Sequence, residues 1–270
     1  MLFRVSIITV LVLFGGRGVS NAALDLSWLQ DNSPGLSGGQ QYRLVFLTST
    51  FVTATSDQIT TYNDVADSAG AAVDIAARSL GITLSGDPWT AIASTPTVDA
   101  KDNTGTDPSI GGIPIYLVNG ELVANNYADL WDGSIRTGIN VFETGDSIDP
   151  PNLHLAFTGT HSDGTAISVA GGHGPLGGAG LLNGIPHATW GDTSRTDSGW
   201  VSRNVAGQNT QHPLYALSAV QTYSGIPEPM NVLLFAAAIA VTGTLRRIQG
   251  RVFTQHIDEV QGASPVDQST

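Results

Sequence analysis

The sequence predicts an α+β fold, a single loop-rich domain with one main helix packed on antiparallel strands, and three observations point to it. One long stretch, residues 57–80, carries apolar side chains at helical spacing. Around it lie short β-branched and aromatic runs such as Tyr42–Thr48 and Ile113–Val118, each bounded by turn residues. Between these runs Gly, Thr, Ser, Asn and Asp dominate, as loops require. An early strand, then a helix, then many short strands is the order of an α+β domain. Neither an internal repeat nor a second domain boundary is visible within it.

The chain opens with Arg4 and the apolar run Val5–Phe14, too short to span a bilayer comfortably and followed by the Gly15-Gly16-Arg17 break. This pattern predicts a signal peptide over residues 1–22, cleaved between Ala22 and Ala23, because Ser20 and Ala22 are the small residues a signal peptidase accepts. An uncleaved N-terminal anchor is the competing reading. The exported domain, residues 23–225, then begins. Tyr42–Thr48 is its first strand. A helix follows, with Ser56 as cap, Asp57 at the positive helix end, and Ile59, Tyr62, Val65 or Ala66, Ala69, Val73, Ala76 or Ala77 and Leu80 along one face before Gly81 stops it.

Trp89–Ser94 is the second strand. Ile113–Val118 meets Glu121–Ala124 across Asn119-Gly120, a two-residue hairpin whose turn residues both need positive φ. Leu153–Thr158 is a further strand or turn, and the glycine-dense stretch Ala170–Gly184 reads as a long loop. Trp190–Trp200 and a last strand at Pro213–Val220 close the domain.

Charge narrows the function. Residues 23–229 hold 20 acidic residues against six basic ones, a net charge of −14, which repels phosphate backbones and excludes nucleic acid as a partner. No Gly-x-x-x-x-Gly-Lys loop occurs and Lys101 is the one lysine, so no nucleotide is expected either. The chain has no cysteine, which removes thiol catalysis, thiolate metal sites and disulfides together.

Four groups of residues are candidate sites. Asp99, Asp102, Asn103, Thr104 and Asp107 are hard oxygen donors at a spacing that would suit calcium, though not the EF-hand spacing; the same residue types suit a solvated turn. Asp129 and Asp132 flank Trp131, read as a core anchor. His154, His161, His173 and His187 lack the His-Glu-x-x-His pattern of a zinc helix. His161-Ser162-Asp163 has the residue types of a hydrolase triad but no Gly-x-Ser-x-Gly elbow, and adjacent residues seldom face one another. The expectation is therefore no enzyme and no cofactor, with calcium as the one ion worth testing.

The C-terminal region is more specific. Pro227-Glu228-Pro229 precedes the uncharged run Met230–Leu245 and then Arg246, Arg247 and Arg251. As a helix, residues 230–245 would rise about 24 Å, a marginal transmembrane span that flanking arginines can support by snorkelling. The arginines favour the cytoplasmic side, which places residues 23–225 outside. A buried core helix is the competing reading of this run. This combination resembles the PEP-CTERM sorting signal of bacterial exported proteins, over residues 226–251. The resemblance implies a membrane partner, an exosortase-type processing protease, and a cell-surface or extracellular life among biofilm polysaccharide. It departs from the family in its polar cytoplasmic tail, residues 252–270, which carries Asp258, Glu259 and Asp267.

A second resemblance rests on shorter words: Arg43–Thr50, the Ala-rich helix, Trp89-Thr90-Ala91-Ile92, Thr158-Gly159-Thr160 and Leu214–Ser218. Their order is similar to C-type-lectin-like or endostatin-like modules, implying that layout for the domain. Its acidic loops and aromatic residues make a calcium- or carbohydrate-binding adhesion module one alternative reading, and an exported hydrolase whose histidine and carboxylates are brought together by folding is another. The Glu-Pro-Asn, Gln-Pro-Asp and Trp-Asn-Asp motifs of true C-type lectins are missing. No sugar-binding role passes to named residues.

Overall fold

The computed structural model describes residues 24–32, 34–148 and 154–225. The Ala22/Ala23 junction, Pro227-Glu228-Pro229, the apolar run 230–245, Arg246, Arg247, Arg251 and the tail 252–270 lie outside the described residues. Among the described residues no helix is long and apolar enough to cross a membrane.

The domain is α+β, as its pattern predicts. Its elements are α1 (Ser27–Gln30), β1 (Gln41–Leu47), α2 (Ile59–Ser79), β2 (Thr90–Ala91), α3 (Ala100–Thr104), β3 (Ile115–Leu117), β4 (Leu122–Ala124), α4 (Tyr127–Leu130), β5 (Leu155–Phe157), β6 (Leu181–Leu182), β7 (Ile185–Asp192), β8 (Asn204–Gly207), β9 (Tyr215–Leu217) and β10 (Gln221–Thr222). They form two sheets. The first runs β2-β9-β1-β3-β4, with β10 also on β1; the second runs β5-β7-β6, with β8 also on β7. The expectation of antiparallel strands needs one correction, because β1 and β3 pair in parallel, Val45 opposite Leu117. Such a pair needs a long crossover, and α2, β2 and α3 all lie on it.

β1 is central because its residues suit burial on both faces: every residue from Tyr42 to Leu47 is buried. On one face Phe46 meets Trp89 with ring centroids 5.0 Å apart. Trp89 in turn fills the space left by Gly70 of α2, where an added Cβ would lie 2.2 Å from its ring. This contact lets the helix approach the sheet. The buried face of α2 is Tyr62, Ala66, Ala69, Gly70, Val73 and Ala77; of the predicted stripe, Ile59, Val65, Ala76 and Leu80 are only partly buried, and Gly70 joins it. The helix starts two residues later than Ser56 capping would give. Gln58 occupies the cap position, and Ser56 instead accepts a hydrogen bond from the Gln58 amide and pairs with the Thr61 hydroxyl. Its end matches expectation: Gly81 adopts φ +74°, its amide donates to Arg78 O, and the Ile82 amide donates to Ala77 O.

Two predicted elements change form. Of Trp89–Ser94 only Thr90–Ala91 is ladder-paired. The Asn119-Gly120 hairpin exists, but Asn119 does not take positive φ. The Gly120 amide donates to Leu117 O, Leu117 donates to Glu121 O, and Gly120 alone adopts φ +95°. That is a longer turn ending in a left-handed glycine. The two-residue turn with positive φ at both positions lies elsewhere, at Asn183 (φ +53°) and Gly184 (φ +78°), between β6 and β7. It sits at the end of the stretch read as loop.

The sheets join through an aromatic column. Trp131 and Trp200 have centroids 5.7 Å apart, Trp200 and Tyr215 5.9 Å, and the Tyr215 hydroxyl donates to Trp200 O. Burial drives the Tyr215 phenol well above its usual pKa. Trp131 is thus a core anchor, as its sequence setting predicted.

Candidate functional site

The acidic run at 99–107 does not converge: the Asp102 carboxylate is exposed and unpartnered among the described residues, while the other members have structural duties. Asp99 Oδ1 accepts the Ala166 amide at 2.7 Å. Asn103 and Asn63 exchange side-chain amide hydrogen bonds at 2.9 Å each, and Asn103 also donates to Ala91 O. The Thr104 hydroxyl donates to Ala100 O, while Thr104 O accepts from the Arg43 guanidinium. Asp107 accepts the Ser109 amide, which holds its carboxyl below the usual carboxylate range. Asp129 accepts from the Asn125 amide and side chain and lies 3.6 Å from Arg136; Asp132 closes a turn on Ser134. Among the described residues, no three His, Asp or Glu side chains converge as metal ligands would.

The four histidines are likewise separate. His154 Nδ1 pairs with the Thr193 hydroxyl, His173 Nδ1 with the Thr189 hydroxyl, and His187 Nδ1 with Ile185 O. His161 Nε2 accepts the Ser168 amide at 3.4 Å, and the Asp163 carboxylate accepts the Thr165 amide and hydroxyl. Burial pushes the Asp163 carboxyl up, but those Thr165 bonds and neighbouring positive charge bring it net below its usual range. His161 and Asp163 therefore bond to other residues, and no hydrogen bond links His161, Ser162 and Asp163 into a relay.

What the fold builds instead is a cleft of about 470 Å³ lined by Pro96, Ala166, Ile167, Val169, Pro175 and the chain from Gly177 to Ala179. No lining residue carries a titratable side chain. Three backbone ties shape it: Leu176 N to Ser94 O, Gly177 N to Ala54 O, and Ile167 N to Gly159 O. Asp99 contributes by holding Ala166. A residue weighed as a calcium ligand thus positions a cleft wall. Beside it the β6–β7 hairpin leaves Leu181 and Ile185 each 56 % exposed, and Val169 is 55 % exposed.

Sequence reasoning missed this region, yet a signal was present. Residues 164–191 contain no Asp, Glu, Lys or Arg, in a chain of net charge −12. An apolar cleft and an apolar hairpin tip on a segment without formal charge suit neutral contacts, with the fold bringing the Asp99 carboxylate to Ala166 and Asp57 beside Gly177 at that wall. Arg43 was missed as well. It is buried on β1, donates to Ser218 O and Thr104 O, and lies 5.9 Å over the Tyr127 ring; burial lowers its pKa. Comparison with protein-family models and with curated proteins returns no match.

Proposed function

We propose that this chain is an exported, non-enzymatic surface or extracellular-matrix protein whose single domain is delivered by its C-terminal sorting signal. The observation that carries this reading is the flanking of one acidic, cysteine-free domain by an N-terminal export signal and by Pro227-Glu228-Pro229, the apolar run Met230–Leu245 and three arginines. The apolar segment holds the chain in the membrane. The rigid Pro-Glu-Pro triplet cannot continue a helix and presents an extended stretch to an exosortase-type protease. The C-type-lectin-like layout belongs to the same proposal, supported by the order of early strand, Ala-rich helix and closing Leu214–Ser218 strand.

Within this reading the domain acts by binding, and its contact face is the segment without formal charge, with the cleft bounded by Pro96, Ile167, Val169 and Pro175. A strongly acidic domain approaches neutral polysaccharide most readily where its own charge is lowest. Mass and fractionation of the native protein test the sorting step. A species lacking both ends and found outside the cell is expected, and Glu228→Ala should leave full-length protein in the membrane. Normal maturation of Glu228→Ala would overturn the mechanism. A calcium-dependent form predicts a rise in Tm on adding calcium; an unchanged Tm removes it.

A further inference from the structure

Two Asn-Gly pairs occur in the described domain, and the fold treats them differently. Asn119-Gly120 is clamped. Its glycine amide donates to Leu117 O at 2.9 Å, and the Asn119 side-chain oxygen accepts the Glu121 amide at 3.2 Å. Trp28 covers the turn, its ring 2.9 Å from where a Gly120 Cβ would lie and its Nε1 donating to Val118 O. Asn183-Gly184 is open. Both residues are exposed, nothing lies within 4 Å of a Cβ built on Gly184, and neither the Asn183 carboxamide nor the Gly184 amide has a hydrogen-bond partner among the described residues. The turn is closed by the pairing of Leu181 with Pro186 and Leu182 with Ile185, and the His187 amide donates to Gly180 O as the next rung.

We infer that Asn183 is a site of spontaneous deamidation in the folded protein, whereas Asn119 is protected from it. The nucleophile is the Gly184 backbone nitrogen. It attacks the Asn183 side-chain carbonyl carbon, forming a new C–N bond as the bond to the side-chain nitrogen breaks. Ammonia leaves, carrying the proton released by the Gly184 amide, and a five-membered cyclic imide remains. Water then opens the ring at either carbonyl, giving aspartate or isoaspartate. Water is consumed, ammonia is released and nothing is oxidised. Glycine favours the attack because no side chain obstructs its nitrogen, and an exposed turn whose reacting groups are unpaired can open to the extended conformation the attack requires. At Asn119 the same step needs the Gly120 amide and the Asn119 carboxamide freed from their partners, with Trp28 displaced.

The product matters because of its position. A carboxylate would appear between exposed Leu182 and Ile185, the first negative charge in the segment spanning residues 164–191. Ageing would thereby convert a neutral apolar tip into an anionic one. Where isoaspartate forms, the extra backbone carbon would also disturb the pairing of β6 with β7.

The experiment incubates the full-length chain in detergent at mildly alkaline pH and follows both sites by peptide mass mapping, with enzymatic methylation to report isoaspartate. Each event adds roughly one mass unit, as a side-chain amide becomes a carboxyl. Asn183 is expected to convert several times faster than Asn119 in the folded chain, and the two sites at matching rates in guanidinium. Equal rates in the folded chain, or an Asn183 that stays intact while the unfolded chain converts, would overturn the proposal. This outcome is independent of whether the chain is exported.

Discussion

The β1-centred and β7-centred sheets both depend on glycine for close approach, but what approaches differs. In the first, Gly70 admits the Trp89 ring, a side chain. In the second, Gly191 of β7 faces backbone: an added Cβ would lie 2.0 Å from Trp200 O. Side chains can turn aside, whereas a backbone carbonyl moves only with its whole segment. The second sheet should therefore be the more brittle of the two, although it holds the more exposed apolar residues.

The largest expected effect tests this directly. Gly191→Ala should cost about 3 kcal/mol or more, at the upper end of overpacking penalties. Gly70→Ala should cost about 1 kcal/mol, because gained helix propensity offsets part of the strain against Trp89. Urea unfolding midpoints measure both, and equal losses would break the contrast. Next come the two turns. Gly120→Ala combines a left-handed φ with the Trp28 ring and should cost about 2–3 kcal/mol, against about 1 kcal/mol for Gly184→Ala, where only the φ is unfavourable.

A smaller effect lies at the seam between the sheets. His212 pairs through its backbone with Val52 and sets its ring against the edge of Phe157, centroids 4.8 Å apart. Burial lowers its pKa. The unfolded chain therefore takes up this proton first as acidity rises. Its contribution to stability is full above the unfolded value of about 6.5 and is lost as pH falls through the lower folded value. His212→Gln should flatten that part of the pH dependence, read from unfolding midpoints across the range. The smallest effect belongs to Leu182→Ser at the exposed hairpin tip, expected within about 0.5 kcal/mol of the parent.

The first sheet was legible because its signals are side chains. The run YRLVFLT, the helical stripe and the Gly81 stop each name an element. Of the second sheet only β5 was legible, inside the strand or turn expected at Leu153–Thr158, because the rest of its information lies in the spaces between backbones. A glycine that permits close approach and a glycine in a loose loop are the same letter, so Ala170–Gly184 read as loop although it ends in β6 and a tight turn. Asn-Gly showed the same ambiguity, since the tightest turn type fell at 183–184 while 119–120 took a longer one. The acidic run at 99–107 was read by composition, but the fates of Asp99 and Asn103 depend on partners 67 and 40 positions away. Local pattern contains neither distance.

The strand order has a consequence in time. β9, made almost last, lies between β1 and β2, both made early, and β10 also docks on β1. Arg43 on β1 waits for Ser218 O in the same way. A growing chain ending before residue 215 thus has its first sheet still incomplete, and the long-range pairings of that sheet must form slowly and late. Delayed closure keeps the segment threadable for as long as it is being made, the state required of any polypeptide passed through a narrow channel before it folds.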